Sequence, residues 1–139
     1  MSQDDEQVVR RAYALWNKSD YHPLLDLLLD NSAPDVEIHS RFGSLGGEPF
    51  RGHDGVRAWL TEVQENFERF EPWLDEALPA GDDRIVVLGG ISFEARESGL
   101  DMDERMGWIH EFRHGLLRRM LFYGSQAEAL RAAGLSQRA

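Results

Sequence analysis

The strongest constraint on this chain lies in its second half, from Pro72 to Gly124, where alternation of apolar and polar residues is broken only by short turn sequences. Gly81-Asp82-Asp83 and Glu97-Ser98-Gly99 supply turn chemistry, and His114-Gly115 marks a further hairpin. The pattern predicts strands over Pro72–Leu78, Arg84–Arg96, Met102–His114 and Leu116–Gly124. Strands joined by such short turns pair antiparallel, because a parallel pair needs a long crossover.

The first half supplies helices to cover that sheet. Val8, Val9, Ala12, Leu15 and Trp16 recur at helical spacing between Asp4 and Trp16. A second helix is expected over Tyr21–Asp30, with Asp20 as N-cap and Pro23 in the first turn. Asn31-Ser32-Ala33-Pro34 ends it, and Val36–Ser40 reads as a short strand. Arg41–Gly55 holds five glycines and reads as a loop without the spacing of a dinucleotide fingerprint or the Lys of a phosphate-binding loop. Val56, Trp59, Leu60, Val63 and Phe67 form the stripe of a third helix ending near Arg69, and Gln126–Ala133 forms a last one stopped by Gly134. This order is α+β: a strongly curved antiparallel sheet wrapped around the N-terminal helices and one long helix, enclosing an apolar cone. With 139 residues and no repeat or linker, one domain over 1–139 is expected.

Composition removes several classes of function. The net charge of −10 opposes nucleic-acid binding, which depends on cations that neutralise phosphate. There is no cysteine, hence no disulfide and no thiolate chemistry. Fourteen of the fifteen basic residues are Arg, and the one Lys, Lys18, sits in the polar turn Asn17-Lys18-Ser19-Asp20, the wrong place for a Schiff-base amine. The acidic start Met1–Glu6 is unlike a signal peptide, and no apolar run is long enough to span a bilayer. An intracellular, cytoplasmic protein without membrane association is the expectation.

Three stretches carry a resemblance: Pro34–Arg41, Phe50–Leu60 and Glu128–Leu135. Together, in this order and spacing, they resemble the SnoaL-like families of the nuclear transport factor 2-like superfamily, whose members include ketosteroid isomerases. The resemblance implies a conical pocket and a homodimer formed through the outer face of the sheet. It leaves function open, since the superfamily holds cyclases, isomerases, hydrolases, dehydratases and non-catalytic binders. Matched to ketosteroid isomerases, the general-base Asp falls at Ser40 and the oxyanion-hole Tyr at Ala12, with Tyr13 about 100° further round the helix. The second oxyanion acid falls at His110, and an Asp that many relatives carry after the last strand falls at Ser125. The isomerase acid–base set is therefore not retained.

His110 is the one candidate acid–base residue. Alternation places Met106, Trp108, His110 and Phe112 on one face of a strand, and the resemblance turns that face to the cavity. A polar group on an apolar wall can orient a ligand or exchange a proton; equally, a buried, hydrogen-bonded histidine can be part of the core. Burial without a local carboxylate predicts a neutral imidazole with a lowered pKa. The remaining pocket residues implied by the resemblance are Trp16, Ile38, Ser40, Trp59 and Phe93, and the aromatics among them favour a ring-containing ligand. His39 and His53 carry weaker signals, the latter at a helix start.

The same residues spell a rival motif, His110-Glu111-Phe112-Arg113-His114, the H-E-x-x-H of zinc proteases. On a helix the two histidines would share a metal; on a strand they stand roughly 13 Å apart. The expected function is thus a protein that binds, and in an alternative reading transforms, a small hydrophobic molecule, with no metal or organic cofactor. The alternatives are a cyclase, isomerase or hydrolase using His110, a non-catalytic protein-interaction module, and the zinc protease. For the homodimer, Val86, Leu88 and Ile109 are the expected outer-face residues.

Overall fold

The computed structural model describes residues 2–16, 20–40 and 48–135. Its elements are α1 (Ser2–Leu15), α2 (His22–Asp30), β1 (Ser32–His39), β2 (Phe50–Arg51), α3 (Gly52–Asn66), β3 (Phe67–Pro79), β4 (Arg84–Ala95), β5 (Asp101–Arg113), β6 (Leu116–Tyr123) and α4 (Gln126–Ala132). One six-stranded, unclosed sheet runs β2-β1-β6-β5-β4-β3. All neighbours are antiparallel except β1 and β6, which pair parallel, a departure from the purely antiparallel sheet expected. Among the described residues no helix is long and apolar enough to cross a membrane.

Several boundaries differ from the sequence reading. Asp20 does not cap α2 from the N-cap position, which Tyr21 holds; its Oδ1 accepts from the His22 backbone N–H at 3.0 Å and sits 2.7 Å from the His22 ring. β1 starts at Ser32, four residues early, because Ser32 pairs with Leu117 across the parallel ladder. The glycine-rich loop is shorter than Arg41–Gly55: residues 41–47 lie outside the described residues, and Phe50–Arg51 and Gly52 already belong to β2 and α3. Phe67 is no part of the α3 stripe. The helix stops at Asn66, and Phe67 opens β3 with no intervening linker, stacking its ring against Phe70 and Phe93.

The sheet is covered on both faces. Its concave face packs Val9, Ala12, Tyr13 and Trp16 of the α1 segment, Leu24 and Leu28 of α2, and Val56, Trp59, Leu60 and Val63 of α3 into one core. Bulges in the β3–β4, β5–β6 and β1–β6 ladders bend the strands round these helices. Backbone contact at the β3–β4 bend is so close that a Cβ on Gly89 would lie 2.0 Å from the Trp73 carbonyl oxygen.

On the convex face, α4 lays Ala129 and Ala133 over Val86, Leu88 and Ile109, which are buried within the single chain. Gly107 permits this approach, since a Cβ there would stand 2.5 Å from the Ala129 Cβ. Alternation therefore put these three residues on the correct face, but they are not an uncovered surface. The uninterrupted run Ile85-Val86-Val87-Leu88 is what a strand buried on both faces requires. Beyond α4 the convex face is charged: Arg119 on β6 clasps Glu111 on β5 through both carboxylate oxygens at 2.7 and 3.1 Å, and Glu37 on β1 pairs with His39 and Arg51.

Candidate functional site

Among the described residues, a hydrogen-bonded polar pair is buried in the interior of the cone. β5 carries His110 inward between Trp108 and Phe112, as alternation requires, and α1 brings Tyr13 opposite. The Tyr13 hydroxyl lies 3.0 Å from His110 Nε2, and both side chains are buried. Tyr13 is held edge-on to Trp108 at 5.3 Å and to the imidazole at 5.7 Å. The structure corrects the position expected for Tyr13, which faces the cavity beside Ala12, and gives His110 a hydrogen-bond partner on a helix rather than a carboxylate on its own strand. Val9, Ala12, Tyr13 and Trp16 stand at i, i+3, i+4 and i+7, and a stripe of that width admits Ala12 and Tyr13 together.

Burial fixes the electrostatics of the pair. It lowers the His110 pKa from 6.5 to about 3 and pushes the Tyr13 phenol well above its usual range. At neutral pH the pair is an uncharged imidazole and an uncharged phenol joined by one hydrogen bond. Such an imidazole donates and accepts hydrogen bonds well. As a proton acceptor it is poor, because taking the proton would create the imidazolium that burial disfavours.

A cavity of about 20 Å³ adjoins the pair, bounded also by Ala12, Trp16, Leu28, Trp59, Pro72, Trp108, Met120 and Phe122. That is room for one water-sized guest, far below the several hundred Å³ of a typical ligand pocket. The cone is filled by its own rings: Trp16 meets Trp59 at 5.5 Å and Phe70 at 5.4 Å, and Phe122 meets Trp108 at 5.8 Å and Trp59 at 6.1 Å. Trp16 also lines an open cleft of about 390 Å³ with Tyr21, Phe67, Phe70, Glu71 and Arg96. Trp16 thus borders both the cavity and the cleft.

Of the pocket residues expected from sequence, Trp16, Trp59, Trp108 and His110 meet at this cavity. Ile38, Phe93 and Phe112 are buried in the surrounding core and do not line it. Ser40 is half-buried just beyond the end of β1, outside the lining, and Ser125 caps α4 by accepting from the Glu128 N–H. His53 Nε2 reaches the Ser32 carbonyl at 3.1 Å and ties α3 to β1, while His39 pairs with Glu37 on the convex face. The cavity is also lined by six residues outside that expected set: Ala12, Tyr13, Leu28, Pro72, Met120 and Phe122.

The zinc-protease motif lies on β5 and the turn that follows. His110 points inward, Glu111 pairs with Arg119 on the opposite face, and His114 is exposed in the turn with φ of 54°. One metal cannot bridge side chains so divided. Among the described residues no group of three or more His, Asp or Glu side chains is placed to hold a metal ion.

A curved, unclosed six-stranded sheet around helices is the architecture of the nuclear transport factor 2-like cone. Solved structures with that fold superpose over nearly the whole chain. A nuclear transport factor 2-like protein of unknown function from Burkholderia pseudomallei is 25% identical, with a TM-score of 0.73 over 92% of this chain and 95% of that one. A protein from Catenulispora acidiphila with a ketosteroid isomerase-like fold, solved with trimethylamine, is 16% identical, with a TM-score of 0.69 over 93% of each chain. A Mycobacterium tuberculosis protein in complex with estradiol-17β-hemisuccinate is 17% identical, with a TM-score of 0.69 over 88% of this chain and 95% of that one. These likenesses show the fold. No curated protein matches the sequence. The profile of the SnoaL-like domain matches residues 9–120, and the chain belongs to that family.

Proposed function

We propose that this protein binds a compact, ring-containing apolar molecule inside the cone, with the Tyr13–His110 pair as its polar anchor. The observation that carries this is a neutral, hydrogen-bonded imidazole–phenol pair set in an aromatic wall beside a cavity. Relatives of the same fold solved with trimethylamine and with estradiol-17β-hemisuccinate support a small-molecule role. A ring compound exceeds the 20 Å³ cavity, so Trp16 must swing toward the cleft to admit it. Binding rather than proton transfer is favoured because His110 stays uncharged. A set of ring compounds each bearing one oxygen or nitrogen, screened by tryptophan fluorescence, tests this. His110→Phe is expected to weaken the tightest binder by about 0.5–1.5 kcal/mol, one hydrogen bond. Unchanged affinity in a folded variant would return His110 to the core.

Self-association belongs to the same proposal, moved to a different surface. With Val86, Leu88 and Ile109 covered, a homodimer has the charged strip of Glu37, Arg51, Glu111 and Arg119 available, where paired charges of both signs suit a self-complementary contact. Light scattering is expected to give twice the 15.9 kDa chain mass at low salt, decreasing as salt screens the strip. A 15.9 kDa particle at low salt would remove the dimer.

A further inference from the structure

An open cleft of about 500 Å³ lies at the start of α1 and shares no lining residue with the interior cavity. Carboxylates line it from two elements: Asp4 and Asp5 in the first turn of α1, and Asp82 and Asp83 in the turn between β3 and β4. The Phe112 N–H donates to the Asp83 carbonyl at 2.7 Å and ties that turn to β5. Val8, one helical turn beyond Asp4 and Asp5, and Phe112 give the cleft an apolar lining as well.

Asp5 is 7% exposed and makes no hydrogen bond or ion pair with any described residue. Burial raises its pKa; the N-terminal amine opposes the rise and Asp4 adds to it, and the shift that remains is upward. A carboxylate withdrawn from water in this way calls for a cation. Asn31, also in the lining, spends its Nδ2 on the Leu27 carbonyl at 2.8 Å, which leaves its Oδ1 as a further acceptor. Against these acceptors the lining holds the Arg113 guanidinium and the His114 imidazole. A metal ion does not fit, since no three carboxylates among the described residues are placed to share one.

We propose that this cleft binds an aliphatic polyamine, with one ammonium group on Asp5 and Asn31 and another on Asp82 and Asp83. The methylenes between them lie over Val8 and Phe112. Carboxylates on two separate elements with apolar side chains in the same cleft match charges spaced by a hydrocarbon chain; a simple ammonium ion matches only half of that pattern.

The test titrates spermidine into the isotope-labelled protein at low salt and follows the backbone amides of Asp82, Asp83, His114 and Gly115. Singly charged n-butylammonium is expected to bind the wild type at least about tenfold more weakly. Asp5→Asn, and separately the double variant Asp82→Asn with Asp83→Asn, should each weaken spermidine roughly three- to tenfold. A control, Glu76→Gln with Asp103→Asn, removes two exposed charges outside the cleft and should leave the affinity unchanged. An equal loss in the control would mean diffuse attraction to a chain of net charge −10 and would overturn the site. So would n-butylammonium binding as tightly as spermidine, affinity indifferent to the cleft variants, or amide shifts that fall elsewhere. If Asp5→Asn fails to fold, the double variant in the exposed turn decides.

Discussion

Lowering the pH from 7 to 4.5 is expected to cost the wild-type protein about 2–3 kcal/mol of stability through His110 alone. The folded imidazole titrates at about 3, the unfolded one at about 6.5. Above the unfolded value neither state holds the proton, and the folded state keeps its full advantage. Between the two values only the unfolded chain takes it up, so stability falls as the pH is lowered, at up to about 1.4 kcal/mol per pH unit. Urea unfolding at pH 7 and pH 4.5, for wild type and His110→Phe, isolates the effect, because the carboxylates contribute alike to both. The variant should show the shallower pH dependence by that amount. Equal dependence would mean that the imidazole is solvated in the folded protein.

The second large effect is expected at Trp16. Its indole packs against Tyr21, Trp59 and Phe70, and truncation to Ala removes those contacts at a cost of about 3–5 kcal/mol, less if the cone collapses. It also joins the buried cavity to the cleft that Trp16 borders. Trp16→Ala is therefore expected to be less stable in denaturant yet to bind the tightest ring compound of the fluorescence screen at least about tenfold more tightly than wild type, since no indole has to be displaced. Lost stability with no gain in binding would deny Trp16 its place as the barrier between the cavity and the surface.

The elements of this fold were legible because each is governed by a local pattern. The turns at Gly81-Asp82-Asp83 and Glu97-Ser98-Gly99 separate β3, β4 and β5 where turn chemistry places them, and the α3 stripe is correct up to Val63. What failed depends on partners distant in sequence. The parallel pairing of β1 with β6 has no local signature, nor does the covering of β4 by α4. That covering could have been suspected from the four-residue apolar run at Ile85–Leu88, which strict alternation with a solvated face would not produce. Phe67 fitted the helical period by coincidence.

The site was legible in part for the same reason. Alternation puts His110 and Trp108 on one face of a strand, and the family resemblance turns that face, with Trp16 and Trp59, to the cavity. Tyr13 is not legible from a single-residue correspondence with Ala12; the width of the α1 stripe, which admits both residues, is the signal that finds it. Without Tyr13 the imidazole had no visible partner, though its uncharged state follows from burial either way. How far the rings of Trp16, Trp59 and Phe122 fill the cone is a packing property, and no periodicity in the sequence reports it.

The central claim is that the cone holds an uncharged imidazole bonded to Tyr13 where a ligand is received. The ring nitrogen resonances of His110, recorded from pH 8 to pH 4.5 with and without the tightest-binding ring compound of the fluorescence screen, test it most directly. The expected result is one neutral tautomer throughout, with no titration in this range and a shift on addition of the ring compound. Titration near 6.5 with resonances indifferent to the ring compound would contradict both the burial of the pair and its role in binding.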